Sequence, residues 1–158
     1  MVHPTCFFAD DRLWLGTWNN VNLMVWRNSV LPHHLDKLRD YYVQLAKTTP
    51  RWHSLSIMSG DNLPKIGPSE RERIRELVAL SAPHLISSAQ VVEGKGLWAA
   101  AVRALMLGIN GLSRAPSSVF GNAESACEWM AKRERADPYG LCDAVLDVRR
   151  HWLNDSAA

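Results

Sequence analysis

The chain of 158 residues has few cysteines, no long apolar run and no large excess of charge of either sign. Its three cysteines, Cys6, Cys127 and Cys142, are odd in number and never stand in a CxxC pair, which argues against a disulfide framework and a zinc site. No apolar run is long enough to span a membrane, and the start lacks the basic and apolar pattern of a secretory leader. We therefore expect a cytoplasmic protein without membrane insertion.

Charge is nearly balanced, with 18 basic and 16 acidic residues that alternate in segments such as SERERIRE. Nucleic-acid binding requires a broad basic face, so this interleaving argues against it. The length suits one compact core and is too short for two ordinary domains. We expect a single domain over residues 1–134, followed by a C-terminal amphipathic helix and tail over residues 135–158.

Catalytic signatures are also missing. The sequence has neither a G-x-S-x-G motif nor a cysteine–histidine signature, and its carboxylates stand beside basic residues, as on a solvated face. His33 and His34 are adjacent, so on a helix they are expected to point about 100° apart and not to share one ion. The prediction is a protein that is not an enzyme, with no catalytic residue, no metal site and no cofactor.

What the sequence does contain is a series of apolar runs that alternate with helical patterns. LWLGTW (13–18) and NLMVWR (22–27) flank Asn19 and Asn20, which predicts an antiparallel hairpin. Strand-like runs then alternate with helical spacing, which predicts βαβ crossovers. We therefore expect an α/β fold in which four helices cover a mostly parallel sheet of about five strands. The later strand-like runs are WHSLSIMS, HLISSAQVVEG and SSVFG.

Helix starts and one extra helix are marked by specific residues. Pro32 suits a first turn, Ser69 with Glu72 forms an S-x-x-E capping box, and Asn122 can cap a later helix. An amphipathic helix is predicted over residues 138–154, packed on the same domain or on a second copy. Its apolar stripe consists of Leu141, Val145, Val148 and Trp152.

A glycine turn opens the most ligand-like segment, VVEGKGLWAAAVRALMLGING (91–111). Backbone N–H groups at a helix start can bind an anion, which makes Gly94, Lys95 and Gly96 the candidate anion-binding residues. Neither GxGxxG nor GxxxxGK[ST] is completed, and no acidic residue follows about 20 positions later. The sequence therefore favours a tight turn, to which glycine is suited, over a phosphate site.

The opening hairpin, the alternating units, the GKG turn into an alanine-rich helix and the ending VFGNAESACEWM resemble the anti-sigma-factor antagonist (STAS) family over roughly residues 12–133. The resemblance implies a STAS-like fold and a noncatalytic regulatory or scaffold module that binds a protein partner in bacterial-type signalling. In signalling members, phosphorylation of a serine or threonine directly after an aspartate controls docking. The matching segment here, SGDNLPKIGPSERE (59–72), has no aspartate directly before a serine, and Ser69 lies nearest the expected phosphorylation site.

Two functions remain open at this point. Loops on a rigid α/β scaffold carry function, so the first is protein binding through the loop after the third predicted strand. The alternative is a sensor that holds a small apolar or anionic molecule at the strand carboxyl ends, between that loop and the glycine turn. In either case we expect a monomer or a homodimer. The candidate partner-binding residues are Ser59, Asp61, Asn62, Lys65, Ser69 and Arg71.

Overall fold

The computed structural model describes residues 2–27, 30–59, 67–111, 113–133 and 138–155. Within them, six strands lie side by side in chain order in one sheet. β1, β2 and β3 are antiparallel neighbours, whereas β3 to β6 run parallel. The predicted α/β class, with an N-terminal antiparallel hairpin and a mostly parallel sheet, is therefore confirmed. The strands are β1 (Thr5–Ala9), β2 (Leu13–Trp18), β3 (Val21–Arg27), β4 (Trp52–Ser59), β5 (Leu85–Val92) and β6 (Ser117–Phe120).

The hairpin forms as its sequence predicts, but an additional strand precedes it. Asn19 adopts a φ of 50°, the left-handed conformation that asparagine tolerates, and turns β2 into β3. β1 pairs with β2 at the sheet edge, and its register shifts between Cys6 and Phe8. The strand is short and mostly exposed, so its sequence TCFFA lacks the buried alternation by which strands are recognised.

Helices cover both faces of the sheet. α1, α2 and α3 pack on one face, whereas α4 and α5 pack on the other. The four predicted covering helices and the extra C-terminal helix are thus present. No described helix is long and apolar enough to cross a lipid bilayer. The helices are α1 (Pro32–Thr48), α2 (Pro68–Ser81), α3 (Leu97–Asn110), α4 (Ala123–Ala131) and α5 (Pro138–Asp155).

On the sheet face under α4 and α5, the centre of the core is completely buried. Leu55 and Ile57 of β4, together with Ala89 and Val91 of β5, have no exposed surface. α5 lays its predicted apolar stripe on this core, so the helix packs on the same chain. The stripe residues are Leu141, Val145, Val148 and Trp152, with 1%, 1%, 5% and 7% exposure.

The three hairpin tryptophans are all buried. Trp14 and Trp18 contribute to the core under α4 and α5, whereas Trp26 points to the opposite face, toward α1. The indole Nε1 of Trp18 donates to the carbonyl oxygen of Val2 at 2.9 Å. These side chains are therefore core residues, and none of the three is exposed for contact with a partner protein.

Two of the three predicted helix starts are confirmed. Pro32 is the first residue of α1, and Oδ1 of Asn122 accepts the N–H of Ser125 at 2.8 Å at the start of α4. The predicted capping box of Ser69 and Glu72 is wrong by two positions.

α2 begins at Pro68 after an N-cap at Gly67, because proline fixes the first-turn conformation and needs no N–H partner. The third helical residue, Glu70, turns its carboxylate back to the N–H of Gly67, as the acidic member of a capping box does. Ser69 lies within the first turn, where its hydroxyl donates to Glu70 at 3.0 Å.

The predicted division between residues 134 and 135 lies outside the described residues.

Candidate functional site

A band of polar side chains, four of them buried and two partly buried, crosses the sheet on the face that α1, α2 and α3 cover. Ser54 lies beside Ser88, and Ser56 lies beside Gln90, in the register of β4 with β5. Strands of a parallel sheet that are covered on both faces normally carry apolar residues almost continuously. This band therefore marks a place where the interior is not filled by apolar packing. The polar band consists of Asn22, Ser54, Ser56, Ser88, Gln90 and Ser117.

Above the polar band, a cavity of about 180 Å³ separates the sheet from the three helices. Its roof and walls are mostly apolar, and α2 supplies Ile74, Leu77 and Val78, which are only partly buried. α2 is held beside α1 by an ion pair between Arg73 and Asp36. The described apolar and aromatic lining residues are Met24, Trp26, Val30, Leu35, Leu38, Tyr42, Trp52, Met58, Ile74, Leu77, Val78, Leu85, Met106 and Ile109.

Hydrogen bonds satisfy only part of the polar lining. Nδ2 of Asn22 donates to Oγ of Ser54 at 3.3 Å, and Nε2 of Gln90 donates to Oγ of Ser88 at 2.8 Å. Three atoms of lining residues, Oε1 of Gln90, Nδ2 of Asn110 and Nε1 of Trp52, are buried without a hydrogen-bond partner among the described residues. Because an unpaired buried polar atom costs about 1–3 kcal/mol, these three atoms mark positions at which a bound molecule would be stabilised.

The electrostatic environment of the cavity favours a neutral occupant. Among the described lining residues, Glu70 is the single side chain with a formal charge. Hydrogen bonds from its own N–H and from Ser69 hold the pKa of Glu70 below its usual value, so it is a carboxylate near neutral pH. Burial raises the pKa of Tyr42 to about 12, so its phenol stays protonated. An anion would meet Glu70 and no described basic partner.

Three of the six predicted partner-binding residues, Ser59, Ser69 and Arg71, lie among the described residues. Ser59 is the last residue of β4, and its hydroxyl donates to the carbonyl oxygen of Trp26 at 3.3 Å. Ser69 and Arg71 are exposed on the first turn of α2. Three further predicted members, Asp61, Asn62 and Lys65, lie outside the described residues. Phosphorylation of Ser69 therefore stays a prediction at an accessible hydroxyl.

The glycine turn has the conformation that the sequence predicts. Gly94 has a φ of 118° and Gly96 a φ of 94°, in a region that residues with a Cβ rarely adopt. The guanidinium of Arg103 donates to the carbonyl oxygens of Val92 at 3.1 Å and Gly94 at 3.0 Å, which ties α3 to this turn. Lys95 is exposed. An anion at these residues stays a prediction.

A second polar cluster joins the β1–β2 turn to α1. Oδ2 of Asp10 lies 2.8 Å from Nε2 of His34 and 3.2 Å from Nε2 of His33. The expectation that adjacent histidines diverge is wrong here, because both rings turn toward one carboxylate from the first turn of α1. The potential ligand atoms of the three residues lie within 4.8 Å of one another.

The hydrogen bonds of His34 nevertheless do not suit a metal ion. Its Nδ1 accepts the N–H of Leu31 at 3.0 Å, so in the neutral ring the proton lies on Nε2, the atom that faces Asp10. A metal would have to displace that proton from a ring whose other nitrogen is already an acceptor. The cluster is better explained as a structural clasp.

Two further groups resemble catalytic elements by residue type but are inaccessible. Nδ1 of His53 lies 2.7 Å from Oγ of Ser87, a serine–histidine pair that the sequence motifs do not indicate. Ser87 has no exposed surface and His53 is 2% exposed, so no substrate reaches the hydroxyl. Burial, followed by the neighbouring thiol of Cys142, raises the pKa of Cys127 far above its usual value. Neither group is a prepared nucleophile.

The outward side of α3 is apolar along its whole length. The apolar side of a helix is normally buried, yet on this side Leu97 is 91% exposed and Leu107 is 59% exposed. The exposed residues between and beside them carry small side chains or none. The outward stripe of α3 consists of Leu97, Ala100, Ala101, Ala104, Leu107 and Gly108, followed by Gly111 at the end of the helix.

No family model, curated protein or solved structure matches the chain.

Proposed function

We propose that the protein is a noncatalytic module of the cytoplasm that binds a small, largely apolar molecule in the cavity between its sheet and helices α1 to α3. The observation that carries the proposal is the buried polar band beneath an apolar roof. A few polar groups that converge in an apolar cavity are the usual composition of a small-molecule site. The resemblance to the STAS family, supported by the opening hairpin and alternating units, fits a regulatory role for such binding.

The volume of the cavity sets the size of the group that it can enclose. A cavity of about 150 Å³ lined by apolar side chains holds one benzene molecule. The volume of 180 Å³ seen here therefore suits a single ring with a small substituent, or a chain of similar bulk. The predicted sensor site lay between the glycine turn and the 59–68 loop, at the strand ends. The cavity that supports the proposal lies further inside, under α2.

Cavity filling provides the test. Ser56 is 6% exposed and lies on the cavity floor, so Ser56→Met would extend an apolar side chain into the space that a ligand needs. Toluene should raise the melting temperature of the wild-type protein and leave Ser56→Met unchanged. Ser125→Met is the matched control, because Ser125 is exposed on α4, on the opposite face of the sheet. Absence of any toluene effect on the wild-type protein would contradict the proposal.

Protein binding is the second candidate function. We place it at the outward stripe of α3 in preference to the predicted loop surface. The partner that fits this stripe is the same stripe of a second copy. The stripe carries no charge, so its partner surface has to be uncharged as well. Ala100, Ala104 and Gly108, spaced by four, would let two helices approach closely around a twofold axis.

Light scattering on a concentration series distinguishes this homodimer from a monomer. Ala104→Arg places a charge at the centre of the stripe and should give a monomer at concentrations at which the wild-type protein is a dimer. Val43→Arg is the matched control, because Val43 is an exposed apolar residue on α1 with 42% exposure. A wild-type protein that is monomeric at all concentrations would remove the dimer from consideration.

A further inference from the structure

The unpaired atoms in the cavity restrict the chemistry of its ligand. We infer that the cavity binds a neutral molecule with an apolar body and a head group that both donates and accepts a hydrogen bond, such as a carboxamide or a hydroxyl. This inference rests on the proposed function, since it concerns the occupant of the same cavity.

The argument starts from Gln90. Its Nε2 is already used, because it donates to Oγ of Ser88 at 2.8 Å. Its Oε1 is buried and has no partner among the described residues. A carboxamide oxygen accepts and cannot donate, so a donor on the ligand would satisfy it and an acceptor would not. A ligand without an N–H or O–H group would leave this acceptor unpaired.

Asn110 presents the opposite requirement from the end of α3. Its Nδ2 is also buried without a partner in the part of the chain that the structure describes. An amide nitrogen of this kind donates and does not accept. A ligand oxygen is therefore needed at this side of the cavity, in addition to the donor for Gln90. Both residues line the same cavity, as does Trp52, whose Nε1 is a further buried donor without a described partner and also calls for a ligand acceptor.

Charge then excludes the ionised forms of such head groups. A carboxylate supplies acceptors alone, so it would leave Oε1 of Gln90 facing another acceptor. It would also be repelled by Glu70, the one formally charged side chain among the described lining residues. An ammonium group supplies donors alone and would leave Asn110 unsatisfied. A neutral group with both functions offers a partner of the required kind to each of the two residues.

Four probes of nearly equal size separate these possibilities. Benzamide donates and accepts, acetophenone accepts alone, toluene does neither, and benzoate is an anion. Titration calorimetry on the wild-type protein should rank benzamide above acetophenone, and acetophenone above toluene, each step by about 3- to 10-fold in affinity, the ratio that one neutral hydrogen bond supplies. Benzoate should bind more weakly than toluene.

Two substitutions test whether Gln90 and Asn110 cause the preference for benzamide over toluene. Gln90→Met and Asn110→Leu keep the bulk of the side chains and remove their polar atoms. Each should reduce the preference for benzamide over toluene by the same 3- to 10-fold, with toluene affinity retained. Because the probe ranking is measured on the wild-type protein, it tests the inference even if a variant fails to fold.

The outcomes distinguish this inference from the proposal beneath it. Toluene binding as tight as benzamide binding would overturn the head-group inference and leave the cavity proposal intact. Benzoate binding tighter than benzamide would overturn it too, and would indicate an anion site. Binding of none of the four probes would contradict both.

Discussion

Nε2 of His34 lies 2.8 Å from Oδ2 of Asp10, and the histidine ring is fully buried. Oδ1 of the same carboxylate accepts the N–H groups of Arg12 and Leu13, each at 2.8 Å. One side chain thus shapes the β1–β2 turn and fastens it to the start of α1. The carbonyl oxygen of Asp10 also accepts Nε1 of Trp152 at 2.7 Å, which attaches α5 to the same turn.

Replacement of this carboxylate should therefore destabilise the fold. In Asp10→Asn the oxygen can still accept the backbone N–H groups, but the amide nitrogen then faces the Nε2 proton of His34. We expect a loss of about 1.5–3 kcal/mol in the free energy of unfolding, measured by urea titration. Asp11→Asn is the control, because the Asp11 side chain is 78% exposed. Equal stability of the two variants would show that the clasp does not contribute.

The same carboxylate predicts a dependence on pH. Partial burial acts to raise the pKa of Asp10, but hydrogen bonds from Arg12, from Leu13 and from the two histidines outweigh it and hold that pKa well below its usual value. A group with a lowered folded pKa stabilises the fold above its unfolded pKa, about 3.9, and this stability is lost as the pH falls further.

The stability difference between the wild-type protein and Asp10→Asn should accordingly be constant near neutral pH and shrink below about pH 4. Urea titrations between neutral and acidic pH measure it. A difference that persists unchanged to the lowest pH would mean that the charge of Asp10 has no part in it.

The sequence predicts most of the fold because the signals involved are local. Asn19 and Asn20 predict the hairpin, and Asn19 indeed adopts the left-handed conformation. The start of α2 is misplaced because Ser69 matches a capping motif, while Pro68 directly before it sets the actual start. β1 is missed because an exposed edge strand carries no buried pattern.

The cavity, in contrast, cannot be predicted from local pattern. Ser54 and Ser56 in β4, and Ser88 and Gln90 in β5, place polar residues at every second position. This is the period of a half-solvated strand. Its true environment is set by α2, whose apolar residues border the cavity without filling it. The convergence of His33 and His34 on Asp10 likewise depends on which turn packs against α1, a fact of tertiary structure.

The backbone conformations of Gly96 and Gly108 predict opposite effects of an alanine substitution on stability. Gly96 has a φ of 94°, and a Cβ added to it would meet no atom within 4 Å, so any cost of Gly96→Ala arises from the backbone alone. We expect a loss of about 1–3 kcal/mol in unfolding free energy. Gly108→Ala, within α3 and equally open, should instead gain about 0.5–1 kcal/mol. Thermal melting of both variants provides the measurement, and a neutral Gly96→Ala would show that the turn relaxes.

The last prediction concerns the anchoring of α5. Leu141 is 1% exposed and packs with the core under α4 and α5, whereas Leu146, five residues along the same helix, is 46% exposed. Leu141→Ala should lower the free energy of unfolding by about 2–5 kcal/mol, since it removes buried methyl groups and leaves a cavity. Leu146→Ala should change it by about 0.5 kcal/mol or less. Denaturant titration of both variants compares the two sides of one helix, so helix propensity, which is nearly the same for both changes, cancels. Equal losses in the two variants would mean that α5 does not hold its position on the sheet through this stripe.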